Sequence, residues 1–374
     1  MLDIDHTDGR RYAFLCAMLC ALLLLGTAQV QPSRAAEGNE SGGQKWSFVS
    51  FPDFFNFDVP NPKPKWEDAL DWWLDSVKAE NPEFVLVAGD LVNGHWWDGP
   101  AQVQHLGNVY YGGWVRRMRD HDLPFYVAVG DHELGDDPWP KKKRKLKGDF
   151  ENAFVRHTNM PRNGPEGFKG LTYYVKHRGL LLITVETFET HGDSIRPTVT
   201  GKQLDWVEKT LKKHAPDVNH IVVQGHVPIL PGVKARSSSR LMLEDGAESG
   251  LWKVMSEYGV DLYLCGEHHA ITCKEKNGVW QIVHGNSWGR SSVSTGNYLL
   301  AEVHPDKLVL TLKQIPFEFG GGDIWNINKR TGPRDIVRIS EETRKKGFET
   351  VGTLTIDKSD GEKSFTNVSG AFAE

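Results

Sequence analysis

The chain has 374 residues, 39% hydrophobic, 25% charged and 10% aromatic, with a formal net charge of -5 at pH 7. That balance excludes a disordered, collagen-like, coiled-coil or polytopic membrane protein and leaves enough chain for a sizeable core. A mildly acidic chain has no global field to gather nucleic acid or anionic membranes, and no nucleic-acid-binding signature is read.

The N-terminus reads as an export signal. Arg10 and Arg11 precede the apolar run Ala13 to Leu25. That run is shorter than the about 20 residues of a stop-transfer helix. Cleavage is expected after Ala28 or near Ala35 and Ala36; an uncleaved anchor reaching Val30 is the alternative. The expectation is a periplasmic or secreted protein with residues 1–36 as signal and 37–44 as a Gly-rich linker. Cys265 and Cys273 remain beyond the signal, either paired across a hairpin or as two buried thiols.

Past the linker, Lys45–Phe51 is strand-like. Trp66, Ala69, Leu70, Trp73, Leu74 and Val77 recur at helical spacing, and Pro82 follows. Phe84–Ala88 reads as a buried strand, residues 101–120 as a helix in one or two pieces, and Phe125–Val129 as a second buried strand. Residues 134–170 form a Pro-, Gly- and Lys-rich excursion whose run Lys141–Lys147 reads as a solvated face. Leu171–His177 and Leu180–Glu186 suit a hairpin, and Thr200 suits the cap of a helix running to His214. Then come a strand at Ile221–Gln224, a helix over Gly246–Tyr258 and a strand at Val260–Cys265. Strands at Val279–His284, Tyr298–Val303 and Leu308–Leu312 follow. Alternating strands and helices, with later strands in hairpins, predict an α/β fold. The tail from Phe317 is read either as a small β appendage or as a wrap on the core.

Polar residues sit just after the strands. Asp53 follows the first and Asp90 the second; Asp131, His132 and Glu133 follow the third. His226 comes after Ile221–Gln224, and Glu267, His268 and His269 after Cys265. The carboxyl ends of strands in open α/β sheets share a crevice, so distant loops can pool their side chains there. Carboxylates and imidazoles together suit Zn, Mn or Fe. Six such groups exceed one tetrahedral site and suit two ions roughly 3.5–4 Å apart, as used for displacement at phosphorus. Asn93 and His95 lie in the loop after Asp90, where substrate contacts are expected, and Trp96 and Trp97 are candidate pocket walls. Asp136 and Asp137 read as surface, and His268 as pointing away from the metals.

The ordered set Asp53-Phe-Phe55, Gly89-Asp90, Gly130-Asp131-His132-Glu133, Gly225-His226 and Gly266-Glu267-His268-His269 resembles the calcineurin-like metallophosphoesterase family over residues 45–312. The resemblance implies a sandwich of two mixed β-sheets flanked by helices. It implies a metallophosphoesterase domain at 45–316, with 317–374 as a C-terminal extension. One metal would use Asp53, Asp90 and His269. The other would use Asp90, Asp131, His226 and Glu267, with Asp90 bridging. His132 matches the histidine that faces the phosphate, and Glu133 would orient it. The chain departs from the family pattern where Phe55 replaces a histidine, Asp131 an asparagine and Glu267 a histidine. At Phe55 the ligand would come from Asn56, Asp58 or a water. The oxygen-rich set leans toward Mn(II) or Fe(III). The resemblance implies a metal-dependent hydrolase of small phosphate esters; a degenerate, ligand-binding relative is the second reading.

Overall fold

The computed structural model describes residues 44–56, 59, 62–236, 238–288, 293–323 and 335–374. The expected export signal, residues 37–43 of the expected linker and Asp58 lie outside the described residues. The chain opens with β1 (Trp46–Phe51) and the two-residue β2 (Asp53–Phe54), followed by α1 (Pro64–Ala79). All six apolar residues of the α1 stripe are buried, and Pro64 stands in its first turn, where a missing N–H breaks no helical bond. β3 (Val85–Val87), α2 (Pro100–Asp120) and β4 (Phe125–Val127) come next. α2 is one unbroken helix. Its glycines permit close packing: a Cβ on Gly107 would stand 2.9 Å from Ala153, and one on Gly113 2.5 Å from Val59.

The basic run is less solvated than its composition suggests. It forms the turn α3 (Lys141–Arg144) and the start of α4 (Lys147–Thr158), and Lys143 and Lys147 are both buried. Lys147 Nζ lies 2.7 Å from the buried Glu186 and also pairs with the half-buried Glu151, and these acids draw it inward. β5 (Tyr173–His177) and β6 (Leu180–Thr184) form the expected hairpin. A smaller one follows in β7 (Phe188–His191) and β8 (Ser194–Pro197), and then α5 (Gly201–His214). Thr200 precedes α5 but donates its hydroxyl to Glu189 Oε2 (2.7 Å) rather than capping the helix. After β9 (His220–Gln224), the expected helix over 246–258 divides into a 3-10 turn, Gly246–Glu248, and α6 (Gly250–Glu257). Ser249 interrupts it, accepting from the Trp252 N–H as a true cap.

The remaining strands are β10 (Leu262–Cys265), β11 (Ile271–Lys276), β12 (Val279–His284), β13 (Asn286–Trp288), β14 (Thr295–Val303) and β15 (Lys307–Pro316). Beyond them lie β16 (Glu318–Asp323), β17 (Asp335–Arg338), α7 (Glu341–Lys346), β18 (Glu349–Asp357) and β19 (Ser364–Gly370).

Two mixed sheets organise the described residues from Gln44 onward, which form one compact unit. A seven-stranded sheet has the order β19-β18-β15-β14-β1-β3-β4, and a six-stranded sheet the order β11-β12-β10-β9-β6-β5. Phe48 and Leu86 of the first share an apolar cluster with Leu182, Val222, Leu262 and Leu264 of the second. Their neighbours Val49, Phe51, Leu181, Ile183 and Tyr263 join a separate cluster with the apolar stripes of α1, α2, α5 and α6. This two-residue alternation makes a helix–sheet–sheet–helix sandwich whose central strands, such as β3, β6, β9 and β10, are buried on both faces. The tail extends the first sheet, with β18 pairing to β15 and β19 to β18. Cys265 and Cys273 are separate buried thiols. Among the described residues no helix is long and apolar enough to cross a membrane.

Candidate metal centre

β1, β3 and β4 run parallel in one sheet, and β6, β9 and β10 in the other. The loops leaving β1, β3, β4, β9 and β10 meet, and they carry Asp53, Asp90, Asp131, His226, Glu267 and His269, all buried. Glycine precedes several of these side chains because the loops touch. A Cβ on Gly130 would stand 2.2 Å from Asp90 Oδ1, and one on Gly266 2.1 Å from Asp53 Oδ1. Asp90, Glu267 and His269 hold left-handed φ angles of 55°, 67° and 47°. Non-glycine residues adopt that region rarely, and mostly where the surroundings over-determine the backbone.

Asp53, Asp90 and His269 each offer a ligand atom within 4.8 Å of the others, and so do Asp90, Asp131 and His226. His226 Nε2 lies 3.1 Å from Asp131 Oδ1, 3.5 Å from Asp90 Oδ1 and 3.6 Å from Glu267 Oε2. Its Nδ1 donates to the Ala88 carbonyl at 2.8 Å, which turns Nε2 to the acids; against burial, Asp90, Asp131 and Glu267 hold the ring's pKa well above its ordinary value, so Nε2 carries a proton until a cation displaces it. His269 repeats the arrangement. Its Nδ1 faces the Arg236 carbonyl at 3.0 Å, and its Nε2 lies 2.7 Å from Asp53 Oδ2. Glu267 joins the two halves, with its N–H donating to Asp53 Oδ1 (3.0 Å) and Oε1 accepting from Leu241 N (3.0 Å).

Such crowding cannot leave every acid ionised unaided. Burial raises Asp90, His226 pulls it back, and Asp131, Asp53 and Glu133 push it up again, well above the usual carboxylate range. Burial and Asp131 push Glu267 up to about 7 against His226. Burial opposes charge on Asp131, but His132 and His226 outweigh it and hold the acid below its ordinary range. Four carboxylates facing the Nε2 atoms of two imidazoles therefore fit divalent or trivalent cations, which supply the missing positive charge and match N and O donors.

The neighbours divide. His132 Nδ1 faces the Asn93 carbonyl at 2.7 Å, and its Nε2 lies 3.9 Å from Asp90 Oδ2 and 3.7 Å from Asp136 Oδ1. Glu133, expected to orient His132, instead accepts N–H bonds from Gly130, Asp90, Leu91 and Val92. The Asn93 backbone, not Glu133, sets the His132 ring. Asn93 is buried with both side-chain amide atoms unpartnered. His95 pairs with Asp136 and stacks on His132 with centroids 5.8 Å apart. Trp96 packs in the core against Tyr110, while Trp97 stands over His95.

Phe55 sets its ring edge-to-face with His132 and His269, so hydrocarbon fills the place of the family histidine. Asn56 does not replace it: its Nδ2 donates to the Tyr110 carbonyl (2.9 Å) and its Oδ1 accepts from Arg117. His268 points away, with Nε2 2.9 Å from the Leu241 carbonyl. Asp136, read as surface, belongs to the site. Gly135 and Asp136 take positive φ, and Asp136 N donates back to the Asp131 carbonyl (2.9 Å), which folds the carboxylate toward His132. The Gly135-Asp136 dipeptide was the available signal, a second turn directly after the first.

The sequence model of the calcineurin-like phosphoesterase family matches residues 63–270, which leaves Asp53 outside the match. Among solved structures, PhoD is similar at 11% identity and a TM-score of 0.53, covering 88% of this chain and 73% of that one. GAP50, the anchor in the inner membrane complex of Plasmodium, is similar at 14% identity and TM-score 0.47, covering 73% and 84%. A dimetal phosphatase from Danio rerio is similar at 11% identity and TM-score 0.45, covering 71% and 95%. A search of curated proteins gave no match.

Proposed function

We propose that this chain, which belongs to the calcineurin-like phosphoesterase family, hydrolyses a small phosphate ester at a centre of two metal ions. The observation that carries this reading is the sharing of Asp90: it belongs both to the group with Asp53 and His269 and to the group with Asp131 and His226. One carboxylate can thus bridge two ions, with Glu267 completing the second set. When bound, such ions lower the pKa of a shared water and polarise phosphoryl oxygens. Asp53, Asp131 and Glu267 offset their charge, and the carbonyls of Ala88 and Arg236 keep His226 and His269 in the ligating tautomer. His132 is the group placed to meet the phosphate, and acid catalysis by such a histidine contributes roughly 10²–10⁴ in rate. Glu133 fixes the loops that carry Asp90 and Asp131.

A second reading, a phosphoesterase fold that binds a ligand without turning it over, is favoured by Phe55, which gives the first metal one protein ligand fewer. Metal content per chain, measured beside hydrolysis of a chromogenic monoester and diester after Mn, Fe or Zn supplementation, separates the two. Two ions per chain and turnover that disappears in Asp90→Ala are expected, and the preferred ester narrows the substrate. Zero or one ion per chain with no turnover in any ion would favour the binding protein.

A further inference from the structure

We propose that His95, His132 and Asp136 form a further cation site on the wall of this centre, for a divalent ion of the Mn, Fe or Zn class. The proposal rests on the phosphoesterase reading for its role, but not for its geometry. The three residues each offer a ligand atom within 4.8 Å of the others. Asp136 Oδ1 lies 3.7 Å from His132 Nε2, while its Oδ2 contacts His95 Nε2. Two imidazoles and one carboxylate with an open face are the donor set of metal sites that keep room for an outside ligand.

The orientation of His132 is the second observation. Its Nδ1 is held by the Asn93 carbonyl at 2.7 Å, just as Ala88 holds His226 and Arg236 holds His269. A backbone carbonyl on one ring nitrogen, leaving the other to face acids, is the outer-shell arrangement of metal-bound histidine. Three histidines in one pocket have it, and the dinuclear centre uses only two. Asp136 is held for the task from behind. Its φ is 66°, its N–H returns to Asp131, and Lys143 Nζ donates to its carbonyl at 2.5 Å.

Charge gives the site a purpose. The carboxylates of Asp53, Asp90, Asp131 and Glu267 offset two divalent ions, and Asp131 forms a further close group with Asp136 and Asp137. Asp131 Oδ2 is buried and accepts no hydrogen bond. An anionic phosphate entering this pocket would meet excess negative charge. A cation between His95, His132 and Asp136 offsets it beside the incoming phosphate; His132 Nε2 then holds that ion, so the acid role proposed above for His132 belongs only to the chain without it.

The test counts ions. The full chain is saturated with Mn(II), freed of excess metal and analysed for manganese per chain, with thermal melting to confirm folding. The wild type should hold one ion more than Asp136→Asn and His95→Gln. Equal counts in all three would overturn the site. So would loss of every ion from the variants, because Asp136 would then merely hold the loop. His95→Cys gives an independent reading: added Co(II) should produce a thiolate charge-transfer band, and its absence overturns the assignment. If the extra ion never binds and Asp136→Asn changes KM only for amine-bearing esters, the acids serve a cationic substrate group instead. The count does not depend on turnover, so a chain that binds the extra ion but hydrolyses no ester defeats the phosphoesterase reading alone.

Discussion

Four backbone N–H groups converge on one carboxylate, that of Glu133. Gly130 and Asp90 donate to Oε2 at 2.8 and 2.7 Å, and Leu91 and Val92 to Oε1 at 2.9 and 3.3 Å. Glu133 therefore cross-links the loop after β4 to the loop after β3. Burial pushes it up to about 7 even against those donors. In Glu133→Gln an amide N–H₂ must face N–H groups, and a buried donor left without an acceptor costs about 1–3 kcal/mol. That loss should appear in urea denaturation, together with fewer ions per chain, because Asp90 is itself one of the tied residues. Unchanged stability and metal content, with one limb of the pH–rate profile gone, would instead make Glu133 a partner of His132. The meeting of Asp53, Asp90, Asp131, His226, Glu267 and His269 was legible in the sequence, since each stands just past an apolar strand. It could not reveal that Glu133 faces backbone rather than imidazole, because that depends on where two loops meet. Asp136 was hidden for the same reason: only the fold-back at Gly135 takes it from the surface.

At the level of elements, legibility follows how local the cause is. α1 is legible because its stripe is written in side chains three and four apart. The central strands are legible because burial on both faces demands continuous apolar runs. Long-range partners escaped. Thr200 looks like a cap, but Glu189, 11 residues back, takes its hydroxyl. The basic run 141–147 looks solvated, but Lys147 is claimed by Glu186, a residue on the segment after β6. Burial raises the Glu186 carboxyl and Lys147 opposes that rise, while burial works against the Lys147 charge and Glu186 and Glu151 outweigh it. Removing one member of a buried pair strands the other, at a cost of about 3–5 kcal/mol, whereas removing both charges is often neutral. Lys147→Met should therefore destabilise the protein by about that much, and Lys147→Met with Glu186→Gln by clearly less. Urea denaturation of the two singles and the double measures the coupling. Strictly additive losses would show that the pair is not coupled and that the single variants disturb packing alone.

On the scale of the whole molecule, the tail is tied to the opposite sheet through Asp261. This buried acid precedes β10 of the six-stranded sheet and accepts from Ile221 N at 2.9 Å. Lys358 and Lys363, from the turn joining β18 to β19 of the seven-stranded sheet, reach it at 2.7 and 2.9 Å. His220 Nδ1 lies 3.7 Å away. A polar turn with two lysines carries no sequence signal for such a contact, which is why the role of the tail was open. Burial alone would raise the Asp261 pKa, but His220, Lys363 and Lys358 outweigh it and hold the carboxyl well below its ordinary range. A carboxylate depressed in the folded state contributes its full stability above the unfolded value, about 3.9, and loses it as pH falls toward the folded value. At pH 7, Asp261→Asn leaves two lysines facing a neutral amide, and the loss should approach about 3 kcal/mol. The gap between wild type and variant should hold from pH 7 to about pH 5 and narrow through about pH 4 and below, as Asp261 of the unfolded chain takes up a proton that the folded chain does not. Urea denaturation at stepped pH reads this directly. A gap that stays constant into acid would mean that Asp261 contributes through shape and the Ile221 bond rather than charge. The two sheets would then be held together by the apolar cluster between them, without the clamp.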